Sequence, residues 1–305
     1  MDVIFLGTGA GAPSRKRNVS SIAVRFGQSR EVWLFDCGEG TQHQFLRAPV
    51  SVAQVTHVFL THLHGDHLFG LPGFLSSRSL QGGAKSPLTI VGPEGSQEFV
   101  ETALRLSQTN LNFAVQFIEV ANDGPALQHP VASVECATLL HPVKSFGYAI
   151  VLPDKPGRFM VEKALAKGIP NGPLYGLLKQ GRDIALPDGR TIHGKDYIEP
   201  ASIGKKIVIL GDTAASPAAI RLAKTADLLI HEATFADKDA DLAAKSGHST
   251  AVTAARTAVA ANAKALVITH ISARYDDEKT TAMLAEAREL FPNTTMAEDL
   301  MKLTL

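Results

Sequence analysis

The sequence has little cysteine: two residues, Cys37 and Cys136, in a chain of 305. Two thiols cannot build a disulfide framework, which excludes the small stapled secreted scaffolds and makes a reducing, cytoplasmic setting the expectation. An excess of charge of one sign is also missing. Thirty Lys+Arg face thirty Asp+Glu, a formal net charge of zero. The chain is therefore no uniformly basic nucleic-acid coat, and a polyanionic partner would have to meet positive charge concentrated locally. No apolar run approaches the ~18 residues of a membrane span, so no membrane partner is expected. Met1 to Gly7 bring no basic stretch ahead of their apolar run, so a secretory leader is not expected either. What is there is ordinary for a globular chain: 45% hydrophobic and 20% charged residues, too apolar for disorder and long enough to bury a sizeable core. Histidine breaks the pattern, with eleven copies, several of them at the ends of strand-like runs.

Short β-branched and aromatic runs alternate with Gly-containing turns and Ala-rich stretches of helical period. The patterns predict strands that include Val32–Phe35, Val58–Thr61, Val134–Leu139, Phe146–Val151, Lys206–Leu210, Leu228–His231 and Ala265–Thr269, and helices that include Gly95–Ser107, Ala251–Ala261 and Thr280–Phe291. Some strands follow one another and others follow helices, so the chain reads as mixed α/β rather than strict βαβ alternation. Residues 151–204 differ in composition, with six of the 16 prolines and eight of the 25 glycines. From Lys155 to Arg182 this stretch has six bases and one acid. It reads either as a solvated surface loop or as an extension outside the core; its helix-like pieces are Val161–Lys167 and Leu174–Lys179. A faint two-fold echo also runs through the chain. Val58-Phe59-Leu60-Thr61-His62 is similar to Leu266-Val267-Ile268-Thr269-His270, and Trp33 to Gly38 is similar to Ile207 to Asp212, each a buried-type strand that runs out into a polar residue. Both pairs suggest two halves presenting strand ends to one site.

The strongest motif is His62-Leu63-His64-Gly65-Asp66-His67, directly after a hydrophobic strand. In an extended segment residues i and i+2 point the same way, so His62 and His64 converge; Gly65 permits a turn that brings Asp66 and His67 beside them. Imidazoles and carboxylates at this density are what Zn²⁺ or Mn²⁺ requires. His141, Asp212 and His270 each follow an apolar run. Added to the first motif they make five His and two Asp, enough for two ions sharing the Asp212 carboxylate. Gly7-x-Gly9-x-Gly11 lacks the spacing of a dinucleotide loop, and Pro13 blocks a helix opening there.

These residues resemble the metallo-β-lactamase superfamily and, within it, the ribonuclease Z family of tRNA 3′-processing endonucleases. The likeness extends over Phe5 to Gly11, Phe35 to Gln42, Gly70-Leu71-Pro72-Gly73, His231-Glu232-Ala233-Thr234, Gly247-His248-Ser249-Thr250 and Ser272 to Tyr275. It implies an αββα sandwich with two facing mixed β-sheets, outer helices and an inserted flexible arm at about 151–204. It implies one Zn²⁺ on His62, His64, His141 and Asp212 and a second on Asp66, His67, Asp212 and His270, with Mn²⁺ or another divalent ion as substitute. Asp66 would accept a proton from the attacking water, and His248, oriented by Glu232, would contact the scissile phosphate or protonate the leaving oxygen. Arg15, Lys16, Arg17 and Asn18 match the family's P-x-K-x-R-N loop, with Arg15 where the pattern has Lys, which leaves the preference at that contact open. Thr250, Arg274 and, in the arm, Lys155, Arg158, Gly172 and Pro173 are further candidate contacts to precursor tRNA. A homodimer is expected, with the arm reaching tRNA bound by the partner subunit. On the residues alone Arg274 fits a phosphate contact or a surface ion pair equally. Two other activities fit parts of the pattern: hydrolysis of small esters, thioesters or phosphodiesters on the same fold, and non-catalytic RNA binding.

Overall fold

The computed structural model describes residues 1–27, 29–81 and 86–305. Its larger compact unit comprises residues 1–151 and 205–305, and residues 152–204 form a smaller one. The larger unit is built on two seven-stranded sheets. In spatial order the first runs β18 (Lys302–Thr304), β1 (Asp2–Gly7), β3 (Ser21–Arg25), β4 (Val32–Phe35), β5 (Val55–Phe59), β6 (Leu88–Pro93) and β7 (Val115–Val120). The second runs β17 (Thr294–Met296), β15 (Leu266–Thr269), β14 (Leu228–Glu232), β13 (Lys206–Leu210), β10 (Phe146–Val151), β9 (Ser133–Thr138) and β8 (Gly124–Gln128). Each sheet is half antiparallel and half parallel: β4 to β7 are parallel in the first, and β13, β14, β15 and β17 in the second. A short parallel pair, β2 (Gly9–Ala10) and β16 (Ile271–Ser272), joins the continuations of β1 and β15.

Both faces of the central strands are apolar, which buries them twice. Ile4, Leu6, Leu34 and Val58 pack with Leu71, Phe74 and Leu75 of α3 (Leu71–Leu80) and Val100 of α4 (Ser96–Leu106). Val208, Leu210, Leu229 and Ile268 pack under α7 (Pro217–Ala223), α9 (Ala251–Ala260) and α10 (Asp277–Leu290). Four buried alanines on α9 let that helix lie close to its sheet. The alternate side chains meet between the sheets: Phe35 and Phe59 stack at 4.7 Å, Tyr148 lies 5.4 Å from Phe59, and its hydroxyl donates to the Leu60 carbonyl. The result is the expected αββα sandwich. Three short helices, α1 (Thr41–Phe45), α2 (Gly65–Leu68) and α8 (Ala240–Ser246), sit in its loops.

Strands β4, β10 and β13 fall where the patterns put them, and β5 does not. It was expected at Val58–Thr61 and ends at Phe59, because the Thr61 N–H and hydroxyl bond to the Asp36 side chain instead of continuing the ladder. Helix α3 was not expected; Pro72 is tolerated in its first turn, but Gly73 and the serines obscure its period. The smaller unit is not a solvated loop. Helices α5 (Val161–Ala166) and α6 (Pro173–Lys179) and the hairpin β11 (Ile184–Ala185)–β12 (Thr191–Ile192) enclose their own core of Ala164, Ile169, Tyr175, Leu178, Ile184, Leu186, Ile192 and Tyr197.

Among the described residues no helix is long and apolar enough to cross a membrane.

Candidate metal centre and active site

The carboxyl ends of the parallel strands come together along one edge of the sandwich, where α/β sheets commonly hold their ligands. Asp36 follows β4, His62 to His67 follow β5, Asp212 follows β13, Glu232 ends β14 and His270 follows β15. Asp36 and His270 both adopt left-handed backbone, with φ of 58° and 59°, a conformation that costs energy outside glycine and that concentrates at functional sites.

The sequence-predicted ligands fall into two donor groups. In His62, His64, His141 and Asp212 one donor atom from each residue lies within 4.8 Å of all the others, and the same holds for Asp66, His67 and His270. Asp212 faces both groups: its Oδ2 is 3.7 Å from His62 Nε2, and its Oδ1 is 3.4 Å from His67 Nε2 and 3.5 Å from His270 Nε2. That is the placement a shared carboxylate needs. His62 and His141 turn Nε2 inward, whereas His64 turns Nδ1. The outward nitrogens are held as well. His67 Nδ1 donates to Asp36 Oδ2 at 2.7 Å, and His141 Nδ1 to the Gly247 carbonyl at 2.9 Å. Such outer bonds fix the tautomer that leaves a lone pair for a metal. The donor set of neutral imidazoles and carboxylates fits divalent ions.

The electrostatics agree with that fit. Burial and the neighbouring His67 push His62 down to about 2, so this imidazole is neutral at physiological pH. Burial alone would raise the Asp212 carboxyl, but His270, His67 and His62 hold it well below the ordinary carboxylate range. Asp66 shows the same opposition: burial raises it, and His270 and His67 bring it below its ordinary value. Its Oδ2 also accepts the Gly11 N–H at 2.7 Å.

Beside the donor groups, His248 Nδ1 donates to Glu232 Oε1 at 2.9 Å. Glu232 is 1% exposed and also takes the backbone N–H groups of Thr213 and Ser249. Of the candidate RNA contacts, Arg15, Lys16 and Arg274 are exposed, Lys16 forming an ion pair with Asp277 and Arg274 lying over the Phe235 ring. Arg17 is half-buried, and its Nη1 donates to Thr8 Oγ1 and the Ala297 carbonyl, which braces the loop. Thr250 is buried; its hydroxyl caps α9 through the Thr253 N–H and bonds Asp237, which removes it from direct contact with a substrate. Asn18 donates to the Glu39 carbonyl. Within the smaller unit Lys155, Arg158, Gly172 and Pro173 are exposed. Sequence reasoning gave no role to Asp36, the acid behind His67; its signal was the polar residue into which the Trp33 strand runs, as the Ile207 strand runs into Asp212.

A family profile described as "Anti-Pycsar protein Apyc1" matches residues 1–152. Ribonuclease BN of Proteus mirabilis is 48% identical over 300 residues, spanning 98% of this chain and 98% of its own length. Ribonuclease Z of Limosilactobacillus fermentum is 48% identical over 301 residues, spanning 98% and 97%. Among solved structures, human tRNase Z, short form, superposes over 100% of this chain and 99% of its own with a TM-score of 0.71 at 32% identity. A metallo-beta-lactamase fold protein from Bacillus subtilis, at 19% identity and a TM-score of 0.68, shares the fold. With near-half identity to ribonucleases BN and Z over almost the full length of both chains, the chain belongs to the ribonuclease Z family of the metallo-β-lactamase fold.

Proposed function

We propose that this chain is a zinc-dependent endoribonuclease that removes the 3′ trailer of precursor tRNA near the discriminator base. The observation that carries this reading is the pair of donor groups joined through Asp212, with the Glu232-held His248 at their edge. Two Zn²⁺ per subunit match these donors, one on His62, His64, His141 and Asp212 and one on Asp66, His67, Asp212 and His270, and Mn²⁺ is a substitute. When bound, such ions supply an activated water and neutralise phosphate oxygens. Asp66 takes the proton of the attacking water. His248 gives a proton to the departing 3′-oxygen, leaving a 3′-hydroxyl on the tRNA and a 5′-phosphate on the trailer. Burial opposes a charge on His248, but the bond and the negative charge of Glu232 raise its pKa above the ordinary histidine value, which suits an acid working near neutral pH. Glu232 also fixes the tautomer, because its oxygen accepts Nδ1–H and leaves Nε2 to face the substrate.

Arg15, Lys16 and Arg274 contact phosphates of the RNA, and Arg17, Asn18 and Thr250 hold the loops that carry such contacts. The arm, with Lys155, Arg158, Gly172 and Pro173 on its surface, grips the body of a tRNA bound by the other subunit of a cytoplasmic homodimer. Support comes from the near-full-length kinship with ribonuclease Z and from the arm's excess of bases. Incubation of the purified protein with a precursor tRNA bearing a 3′ trailer should give a single cut near the discriminator in the presence of Zn²⁺ or Mn²⁺, and none after chelation. An intact precursor with either ion present would overturn the reading.

A further inference from the structure

Each sheet ends in the same arrangement: a buried carboxylate that takes one imidazole directly and reaches a second through a threonine hydroxyl. On the first sheet Asp36 Oδ2 takes His67 Nδ1, while Thr61 Oγ1 lies 2.9 Å from that oxygen and 3.0 Å from His62 Nδ1. On the second, Glu232 Oε1 takes His248 Nδ1, while Thr234 Oγ1 lies 2.8 Å from Glu232 Oε2 and 2.8 Å from His270 Nδ1. A hydroxyl has one proton to give and lone pairs to accept with. An ionised carboxylate only accepts, so each threonine must donate to its acid and accept from its imidazole. That order places the proton of His62 and of His270 on Nδ1 and leaves Nε2 with its lone pair turned to the donor group. The backbone locks the relay: the Thr61 N–H donates to Asp36 Oδ1 at 2.7 Å, and the Thr234 N–H to Glu232 Oε2 at 2.9 Å. Thr61 and Thr234 are 0% and 5% exposed, which leaves no room for solvent to compete with these bonds.

We infer that Thr61 and Thr234 are positioning residues of the metal centre, Thr61 setting the tautomer and aim of His62 in one donor group and Thr234 those of His270 in the other. Each sheet then carries a carboxylate–threonine unit that orients two histidines. On the second sheet this makes Glu232 serve two purposes, since the same carboxylate aims the proton donor His248 and, through Thr234, the ligand His270.

The inference rests on the metal-dependent reading above, and metal binding tests it without any RNA. Zn²⁺ affinity is measured by chelator competition for the wild type and for Thr61→Val, Thr234→Val, Thr61→Ser and Thr234→Ser. Valine keeps the shape and removes the hydroxyl; serine keeps the hydroxyl. Each valine variant should bind one of its two ions about 10–100-fold more weakly, the cost typical of losing an outer partner of a ligand. The serine variants should stay within about threefold of wild type on the same reasoning. Folded valine variants that bind both ions as tightly as wild type, or serine variants as impaired as valine ones, would overturn the relay. Should a valine variant fail to fold, ¹⁵N spectra of the zinc-loaded wild type decide: His62 and His270 should both carry their proton on Nδ1, and a proton on Nε2 of either would overturn it. A wild type that binds no Zn²⁺ would instead overturn the metal-dependent reading itself.

Discussion

At the scale of the residue, this site works by deciding which proton each imidazole keeps. Five of its histidines have Nδ1 pinned by an oxygen outside the donor groups: His62 by Thr61, His67 by Asp36, His141 by Gly247, His270 by Thr234 and His248 by Glu232. The first four turn Nε2 toward the donor groups, as the proposed ligands require, and the fifth is held the same way for the proposed proton transfer. The distinction is testable at His248. Its replacement by alanine should lower turnover of precursor tRNA by about 10²–10⁴-fold, the range for losing a positioned acid, while bound metal, measured by atomic absorption, stays at the wild-type ratio. Loss of metal together with activity would make His248 a ligand or a prop for one, and the scheme of proton donation would fall.

At the scale of the element, the ligand loop depends on a close interlock between two turns. The Cys37 N–H donates to the His67 carbonyl and the Gly70 N–H to the Cys37 carbonyl, at 2.7 and 2.9 Å. A Cβ on Gly70 would stand 1.9 Å from the Gly38 carbonyl oxygen, against backbone that cannot yield cheaply. Gly70→Ala should therefore cost about 2 kcal/mol or more of stability and weaken metal binding through the displaced His67, as read from urea denaturation and from chelator competition on the same sample. An unchanged midpoint would show that the turns are not interlocked as described. This packing also explains what the sequence disclosed. The clustered donors after β5 were legible because four of them fall in six residues, and His141, Asp212 and His270, which the fold brings beside them, were legible because each ends an apolar run. The link between Asp36 and Thr61 was not: the echo of two strand ends marked Asp36, but nothing in the sequence ties that acid to a threonine 25 residues away until folding joins them. The core of the smaller unit was hidden for a different reason. Its glycines and prolines fall within and between short elements, Pro173 and Gly176 inside α6 itself, so no apolar period runs long enough to register.

At the scale of the whole molecule, a chain with no net charge is paired with a polyanionic substrate, and the contradiction is resolved by where the charge lies. Lys155 to Arg182 carry an excess of five bases, and they belong to a unit with its own core. Residues 152–204 form a compact unit by themselves. The strands on either side of that unit are already paired, Val151 opposite Lys206, so a short Asn-Gly turn can close them as a hairpin. Removing 155–182 alone would take away α5 and α6 and leave β11 and β12 with their apolar faces uncovered, whereas replacing 152–205 by the turn removes the complete unit and keeps Val151 opposite Lys206. The turn variant should keep the wild-type melting temperature and metal content and should hydrolyse bis(p-nitrophenyl) phosphate at close to the wild-type rate, since no proposed ligand or proton carrier is lost. Cleavage of precursor tRNA at subsaturating concentration should fall steeply. The remaining cleavage should also depend less on salt, because fewer lysines and arginines displace counterions from the RNA. Equal losses on the two substrates would mean that the arm supports the site rather than the tRNA, and tRNA cleavage at the wild-type rate would mean that the arm's basic residues do not hold the substrate.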